Sequence, residues 1–481
     1  MLKKIIFAIL GIVIVFAGVT LYFTMSAKTK QPKAQQQNFK IDEDKAIKNL
    51  STAVTFKTIS QEKEKDINYE YFKEFQQFLK DTYPEIYKQL EYKEINDYSM
   101  IFKWSGKDSS KKPIGLTSHY DVVPVAKGTE VKWQEDAFSG AVDEKYIWGR
   151  GTLDDKVGVI GTLEAVDYLL KEGFVPPQDL YLFFGHDEEN GGDAGAAEIT
   201  KYFKNNMIQF EYIMDEGGAI VNNMVPGVED PVGVIGVAEK GSATIMLSVE
   251  GSGGHSSQPK NKTTIGRLSA AIAALEEQQF TASIAGPTKE LFEYTAPEMS
   301  FGYKYVFENQ WLFKPIIKKI LLGKPATAAV TRTTIAPTIF KAGDKGNILP
   351  EFAEAQINIR VMPGDTFNSL KKQVNAIIDD KHVKVTITGN EASAVSSSTS
   401  RGFKMIQQAA INTNDQTIIA PYIMIGASDS KHYSKISDDA YRFLPIEMED
   451  DGLERMHGTN ERVEKVAYMK AIQFYIDLMK Q

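Results

Sequence analysis

An open α/β sheet with helices on both faces, interrupted by an inserted α+β module, is the fold class that this sequence predicts. Three observations carry it. From Ile114 onward, short apolar runs alternate with segments of helical periodicity. Several of those runs end in acidic or histidine-bearing segments, which is where open α/β sheets hold their ligands, beyond the carboxyl ends of the strands. After Lys240 a separate strand–helix–strand–helix–strand series begins.

The elements follow in order. Residues 113–117 form a short buried strand. Residues 157–170 set Ile160, Leu163, Val166 and Leu169 at helical spacing, and Gly173 with the Pro176-Pro177 pair stops the helix. Residues 180–184 are a second strand, 193–203 a second helix and 212–214 a third strand. In the later module 242–249, 354–361 and 383–388 read as strands, and 265–280 and 367–378 as amphipathic helices. Between its halves lies an aromatic-rich insertion, 281–338, containing Trp311-Leu312-Phe313. It reads as a hydrophobic helical cover in preference to a substrate channel or membrane contact. The chain then returns to the first domain and ends in a helix over 463–479.

The first thirty residues are a separate object. After Lys3-Lys4, residues 5–23 carry no charge, and at the helical rise they span roughly 28 Å, close to a bilayer's hydrocarbon core. Met25-Ser26-Ala27 is a poor cleavage site, so an uncleaved membrane anchor is expected over a cleaved secretory signal. Lysines flank both ends and leave the orientation open. The expected division is 1–30 anchor or signal, 31–40 linker, 41–239 and 391–481 the larger domain, and 240–390 the inserted domain with its aromatic insertion at 281–338. The body that follows is expected outside the cytoplasm, and secreted if the first segment is cleaved.

Composition narrows the chemistry. The 481 residues suffice for two or more domains, and a net charge of −8 argues against nucleic acid, whose binding wants clustered Lys and Arg. Zero cysteines exclude disulfides, thiolate nucleophiles and thiolate metal ligands together. Any transition metal must therefore be held by His, Asp and Glu. With only six histidines in the chain, two beside acidic clusters carry weight.

The acidic doublets Asp154-Asp155, Glu188-Glu189 and Asp215-Glu216 each follow an apolar run. Carboxylates gathered at neighbouring strand ends repel one another unless cations sit among them. His119 and Asp121 are two apart and share a face if the segment stays extended. Asp154 has two oxygens with which to bridge two cations, while the same doublet also suits a helix N-terminus. Glu188 and Glu189 point different ways, so one can bind metal while the other faces the water. Which of Asp215 and Glu216 reaches in stays open. His457 lies in a glycine-permitted loop near the end, and His186 reads as a packing residue.

Ser118-His119-Tyr120-Asp121-Val122-Val123-Pro124, Gly149-Arg150-Gly151-Thr152-Leu153-Asp154-Asp155-Lys156, Gly185-His186-Asp187-Glu188-Glu189 and Asp215-Glu216-Gly217-Gly218 together resemble the di-zinc exopeptidase family of aminoacylase, glutamate carboxypeptidase and carboxypeptidase S. Ala296-Pro297-Glu298-Met299-Ser300-Phe301 and Ile339-Phe340-Lys341-Ala342-Gly343 resemble the carboxypeptidase S and N-fatty-acyl-amino-acid hydrolase branch. The resemblance implies a zinc-exopeptidase-type sheet with a ferredoxin-like lid and two Zn2+ ions per subunit, for which Co or Mn could substitute. His119 and Asp154, with Asp215 or Glu216, would hold one ion; Asp154, Glu189 and His457 would hold the other. Asp121 would orient His119, Glu188 would be the general base, and His255 would steady the oxyanion, in some relatives across a dimer interface. Asn347 and Arg360 would hold the substrate, Arg360 gripping a carboxylate with both guanidinium nitrogens. Lys431 stands where relatives commonly carry Arg, and offers a point charge instead of a fork. The implied reaction removes the C-terminal amino acid from a peptide or N-acyl amino acid by attack of zinc hydroxide. The alternative is an aminoacylase or N-fatty-acyl-amino-acid hydrolase with little peptidase activity. A homodimer through the lid is a further implication.

Overall fold

The structure, a computed structural model, describes residues 1–35, 37, 39–259 and 261–481. Two positions of the expected linker, 36 and 38, lie outside the described residues. A mixed nine-stranded sheet organises the larger domain. Its central strands, Leu180–Gly185, Ile114–His119 and Phe210–Asp215, are mutually parallel neighbours and buried along almost their whole length. Near-continuous apolar runs of this kind form strands when helices cover both faces. Alternation sorts their side chains: Leu180, Leu182 and Phe184 join one core, and Tyr181 and Phe183 join the other. Helices Lys156–Lys171, Arg401–Thr413 and Lys465–Lys480 cover the first face, and Ala196–Asn205 covers the second.

Late segments complete the sheet. Ser437–Arg442 pairs in parallel with Phe210–Asp215, and Ile418–Met424 pairs in parallel with Val232–Glu239. At the opposite edge, Glu91–Ile95 and Ser99–Trp104 add an antiparallel hairpin beside Leu180–Gly185. Residues 462–464, the last two of which open the expected final helix, instead pair with Tyr146–Trp148 before the helix Lys465–Lys480 begins.

Lys240 alone separates Val232–Glu239 of the large sheet from Gly241–Glu250 of the lid. The lid is a four-stranded antiparallel sheet in the order Thr334–Ala342, Phe352–Val361, Gly241–Glu250, Val383–Gly389. Helices Thr264–Glu277 and Phe367–Ile378 pack on it around a separate core of Ile245, Leu247, Leu268, Ile357 and Leu370. This βαββαβ order is ferredoxin-like.

Two further features differ from the sequence expectation. A fourth strand, Thr334–Ala342, begins inside the segment assigned to the insertion. The insertion helices Pro287–Thr295, Phe301–Glu308, Gln310–Leu322 and Pro325–Ala329 also do not join the lid core. Leu291, Phe292, Phe307, Ile317 and Leu321 are buried in the core of the larger domain, where Pro287–Thr295 lies against Ile418–Met424.

Candidate metal centre

Three neighbouring parallel strands deliver their chemistry to one edge. His119 closes its strand, Glu188 and Glu189 follow Gly185 in a single tight turn, and Asp215-Glu216 end the third strand. A fourth approach comes from the loop before the helix Lys156–Lys171. Asp155 caps that helix, accepting from the Gly158 amide at 3.3 Å, while Asp154 faces inward. The doublet thus divides its two tasks between two residues. His457 arrives from the loop between Gly452–Arg455 and Arg462–Glu464.

Asp154 stands between the two imidazoles. Its Oδ1 lies 2.9 Å from His119 Nε2, and its Oδ2 lies 3.0 Å from His457 Nε2. His457 Nε2 is also 3.3 Å from Glu189 Oε2. One ligand atom each from His119, Asp154 and Glu189 fall within 4.8 Å of one another. Glu189 Oε1 is buried without a hydrogen-bond partner among the described residues.

The electrostatics describe a site short of positive charge. Burial pushes the Glu216 carboxyl well up, and Asp154, Asp215 and Glu188 push it further. Burial pushes Glu188 well up against His119, and raises Glu189 against the His457 hydrogen bond. Burial would lower the His119 imidazole, but Asp121 and Asp154 raise it well above its usual range. Buried acids that cannot all ionise together, facing imidazole nitrogens and one orphaned oxygen, form a donor set suited to divalent cations.

Of the two acids left open, Asp215 is otherwise engaged. Its Oδ2 accepts from Ser428 Oγ at 3.0 Å and Ser430 Oγ at 2.8 Å. Glu216 lies within electrostatic reach of Asp154, Asp215 and Glu188, whose charges raise its carboxyl. Asp121, completely buried, has more partners than the expected His119. Its oxygens lie 3.3 Å from His119 Nδ1 and accept from Ser60 Oγ at 2.6 Å and from the Glu188 and Glu189 amides at 3.1 and 3.2 Å. Asp121 therefore orients the imidazole, through its main-chain carbonyl 3.1 Å from Nδ1 as well as its carboxylate, and the carboxylate also holds the turn carrying the candidate base.

Sequence reasoning missed Glu461. Its Oε1 accepts from the Gly151 and Leu153 amides at 2.9 and 2.8 Å, and its Oε2 meets Arg150 Nη1 at 2.5 Å, all buried. It holds the loop that presents Asp154. An arginine inside an otherwise glycine-rich motif signalled a buried acid somewhere, though nothing local identified which one. His186, as expected, packs: its Nδ1 lies 2.7 Å from Ser99 Oγ.

The substrate-side residues fall into two groups. Arg360 and Lys431 line one cleft of about 840 Å³ between the domains, together with Gly191, Glu239 and Lys240. Lys431 Nζ lies 3.7 Å from where a Gly191 side chain would begin, just beyond the Glu188-Glu189 turn. His255 and Asn347 are exposed on the lid, on adjoining segments linked by the Ser256 amide to the Asn347 carbonyl at 3.1 Å. No hydrogen bond among the described residues joins either side chain to the cluster.

A buried sheet with its acids and imidazoles gathered at one edge, carrying an inserted ferredoxin-like domain, is the arrangement of a metal-dependent hydrolase. The chain belongs to peptidase family M20/M25/M40, whose profile matches residues 115–481. Probable carboxypeptidase S-like 2 of Dictyostelium discoideum is 40% identical over 485 residues, covering 98% of this chain and 92% of that protein. N-fatty-acyl-amino acid synthase/hydrolase PM20D1 of Xenopus tropicalis is 34% identical over 439 residues, covering 90% and 85%. Among solved structures, an M20 family metallo-carboxypeptidase from Sulfolobus solfataricus shares the fold at a TM-score of 0.62 and 19% identity, covering 90% of this chain and 98% of that one. The protein is a metallopeptidase-type amidohydrolase of the carboxypeptidase S-like branch.

Proposed function

We propose that the enzyme holds two zinc ions and releases the C-terminal amino acid from an N-acyl amino acid or short peptide. The observation that carries this reading is Asp154, with one oxygen directed at each imidazole. His119, Asp154 and Glu216 would hold one ion; Asp154, Glu189 and His457 would hold the other. When bound, the ions supply Lewis acidity that polarises the scissile carbonyl and makes water a nucleophile near neutral pH.

Glu188 takes the proton of that water and returns it to the departing amine. Its desolvated carboxyl is suited to the exchange, because burial raises its affinity for a proton. Asp121 fixes the turn on which Glu188 sits. Arg360 and Lys431 receive the carboxylate of the released residue, and Asn347 and His255 serve substrate and oxyanion when the lid closes over the cluster from this or a second subunit. Leu2–Ser26, long and apolar enough to cross a bilayer, anchors the enzyme at a membrane.

Relatives bear both carboxypeptidase and N-fatty-acyl-amino acid hydrolase names, so acyl amino acids with little peptide cleavage form the second reading. Rates on N-acyl amino acids, the same compounds as C-terminal carboxamides, and blocked dipeptides test both. Cleavage confined to free carboxylates is expected, and equal cleavage of the carboxamides would refute the role of Arg360 and Lys431. The ratio of acyl to dipeptide turnover separates the two readings.

A further inference from the structure

The insertion helices carry a surface that the metal centre does not use. On Phe301–Glu308 and Gln310–Leu322, the side chains of Phe301, Tyr303, Trp311, Ile316 and Ile320 are exposed. Singly exposed apolar residues are ordinary, but a run of large ones on consecutive helices is not. Residues 301–325 also contain five lysines (304, 314, 318, 319 and 324) against one acid, Glu308, in a chain whose net charge is −8. Aromatic and aliphatic side chains interleaved with lysine are the composition of a helix lying in a membrane interface.

The position of this surface specifies its partner. It packs on the end of the N-terminal helix, which is otherwise exposed. Phe16 and Trp311 meet edge to face with centroids 5.7 Å apart, and Thr20 Oγ1 lies 2.8 Å from the Tyr305 hydroxyl. Asn309 Nδ2 donates to the Thr20 carbonyl at 3.1 Å and to Thr24 Oγ1 at 3.0 Å, with Thr20, Thr24 and Asn309 all buried. Polar contacts of this type join helices within apolar surroundings. Phe16 lies seven residues before Phe23, the last apolar residue of the charge-free run, which is about 10 Å along the helix axis. If the N-terminal helix spans a bilayer, Trp311 sits about 10 Å below the interface, and Tyr305, beside Thr20, about half as deep. Interfacial helices bury their apolar face to about 5–10 Å.

We propose that Phe301–Glu308 and Gln310–Leu322 form a second membrane contact, embedded in the leaflet nearest the catalytic domain and favouring anionic lipid through Lys314 and Lys319. This rests on the reading of Leu2–Ser26 as an uncleaved anchor. The enzyme then sits on the bilayer by two elements at a set orientation, instead of swinging on a tether.

The absence of native cysteine provides the test. The full chain is reconstituted in phosphatidylcholine–phosphatidylserine vesicles carrying one nitroxide label at a time: Trp311→Cys, Ile320→Cys, Leu10→Cys in the N-terminal helix, or Val131→Cys on an exposed loop. Labels at 311 and 320 are expected to collide more with oxygen than with a water-soluble nickel chelate, with Val131→Cys showing the reverse. Replacing Lys314 and Lys319 by Glu should shift the 311 label toward water. Labels at 311 and 320 as open to nickel as the one at 131 overturn the proposal, whatever the label at 10 reports. Nickel access at 10, or loss of the N-terminus by mass, overturns the anchor reading separately.

Discussion

Asp121→Asn is the perturbation that tests most about how the site is held. The side chain keeps its shape, so the buried pocket at this position remains filled. What changes is that three donors, the Ser60 hydroxyl and the amides of Glu188 and Glu189, must share one acceptor oxygen in place of two, while His119 Nδ1 keeps the main-chain carbonyl at 3.1 Å. The cheaper arrangement puts the new NH2 group where Oδ2 was, because the Ser60 hydroxyl can rotate to accept. The Glu189 amide cannot, and a buried N–H left unpaired costs about 1–3 kcal/mol. His119 loses an anionic partner as well, and substitution of such supporting groups lowers metal affinity or activity about 10–100-fold. The expected result is a fall of that size in zinc affinity by competitive chelator titration. At saturating zinc a further drop in kcat should appear, with KM little changed, because the Glu188 turn loosens. A variant that keeps native zinc affinity and kcat would refute the claim that Asp121 supports both the imidazole and the base.

Three further outcomes are expected. Glu188→Gln should lower kcat by roughly 10²–10⁴-fold while elemental analysis finds the metal content unchanged; loss of metal with activity would make Glu188 a ligand instead. Asp154 and Glu189 push His457 up to about 10, so the metal-free imidazole is protonated near neutral pH, and loading must displace that proton. Calorimetry in two buffers of different ionisation heat should show proton release and affinity falling as pH drops, and buffer-independent heats would contradict this. Burial lowers Lys240 to about 7, and its ammonium donates to the Ala329 and Arg332 carbonyls. The unfolded chain binds this proton more tightly, so the cost of charging Lys240 is full below pH 7 and fades towards about pH 10.5, near its ordinary value. Lys240→Met should therefore remove a rise in thermal midpoint between neutral and mildly alkaline pH; an unchanged slope would contradict the assignment.

The central strands and their terminal acids were legible because burial on both faces writes near-continuous apolar runs, and carboxylates at their ends stand out. The helix Phe367–Ile378 matched its expected bounds, since Thr366 and Ser369 form a capping box and Asp379 ends it in the left-handed region at φ 44°. Strand Thr334–Ala342 was hidden: it is a largely exposed edge with Pro337 beside a register shift, so no alternation marks it. The helical insertion adjoins the lid in sequence, yet its apolar faces belong to the larger core, which only packing reveals. Neighbouring residues of a strand point opposite ways, so sequence could say that one of Asp215 and Glu216 reaches in. Ser428 and Ser430, far along the chain, engage Asp215 in a way that no local pattern announces. The same limit applies to Glu461, and to His255 and Asn347, whose exposed side chains share no hydrogen bond with the cluster among the described residues.

The most direct test of the central claim is anomalous scattering at the zinc edge from crystals of the zinc-loaded enzyme. Two peaks are expected, one on each side of Asp154, with His119 and Glu216 at one and His457 and Glu189 at the other. A single peak, or zinc bound away from Asp154, would contradict the account.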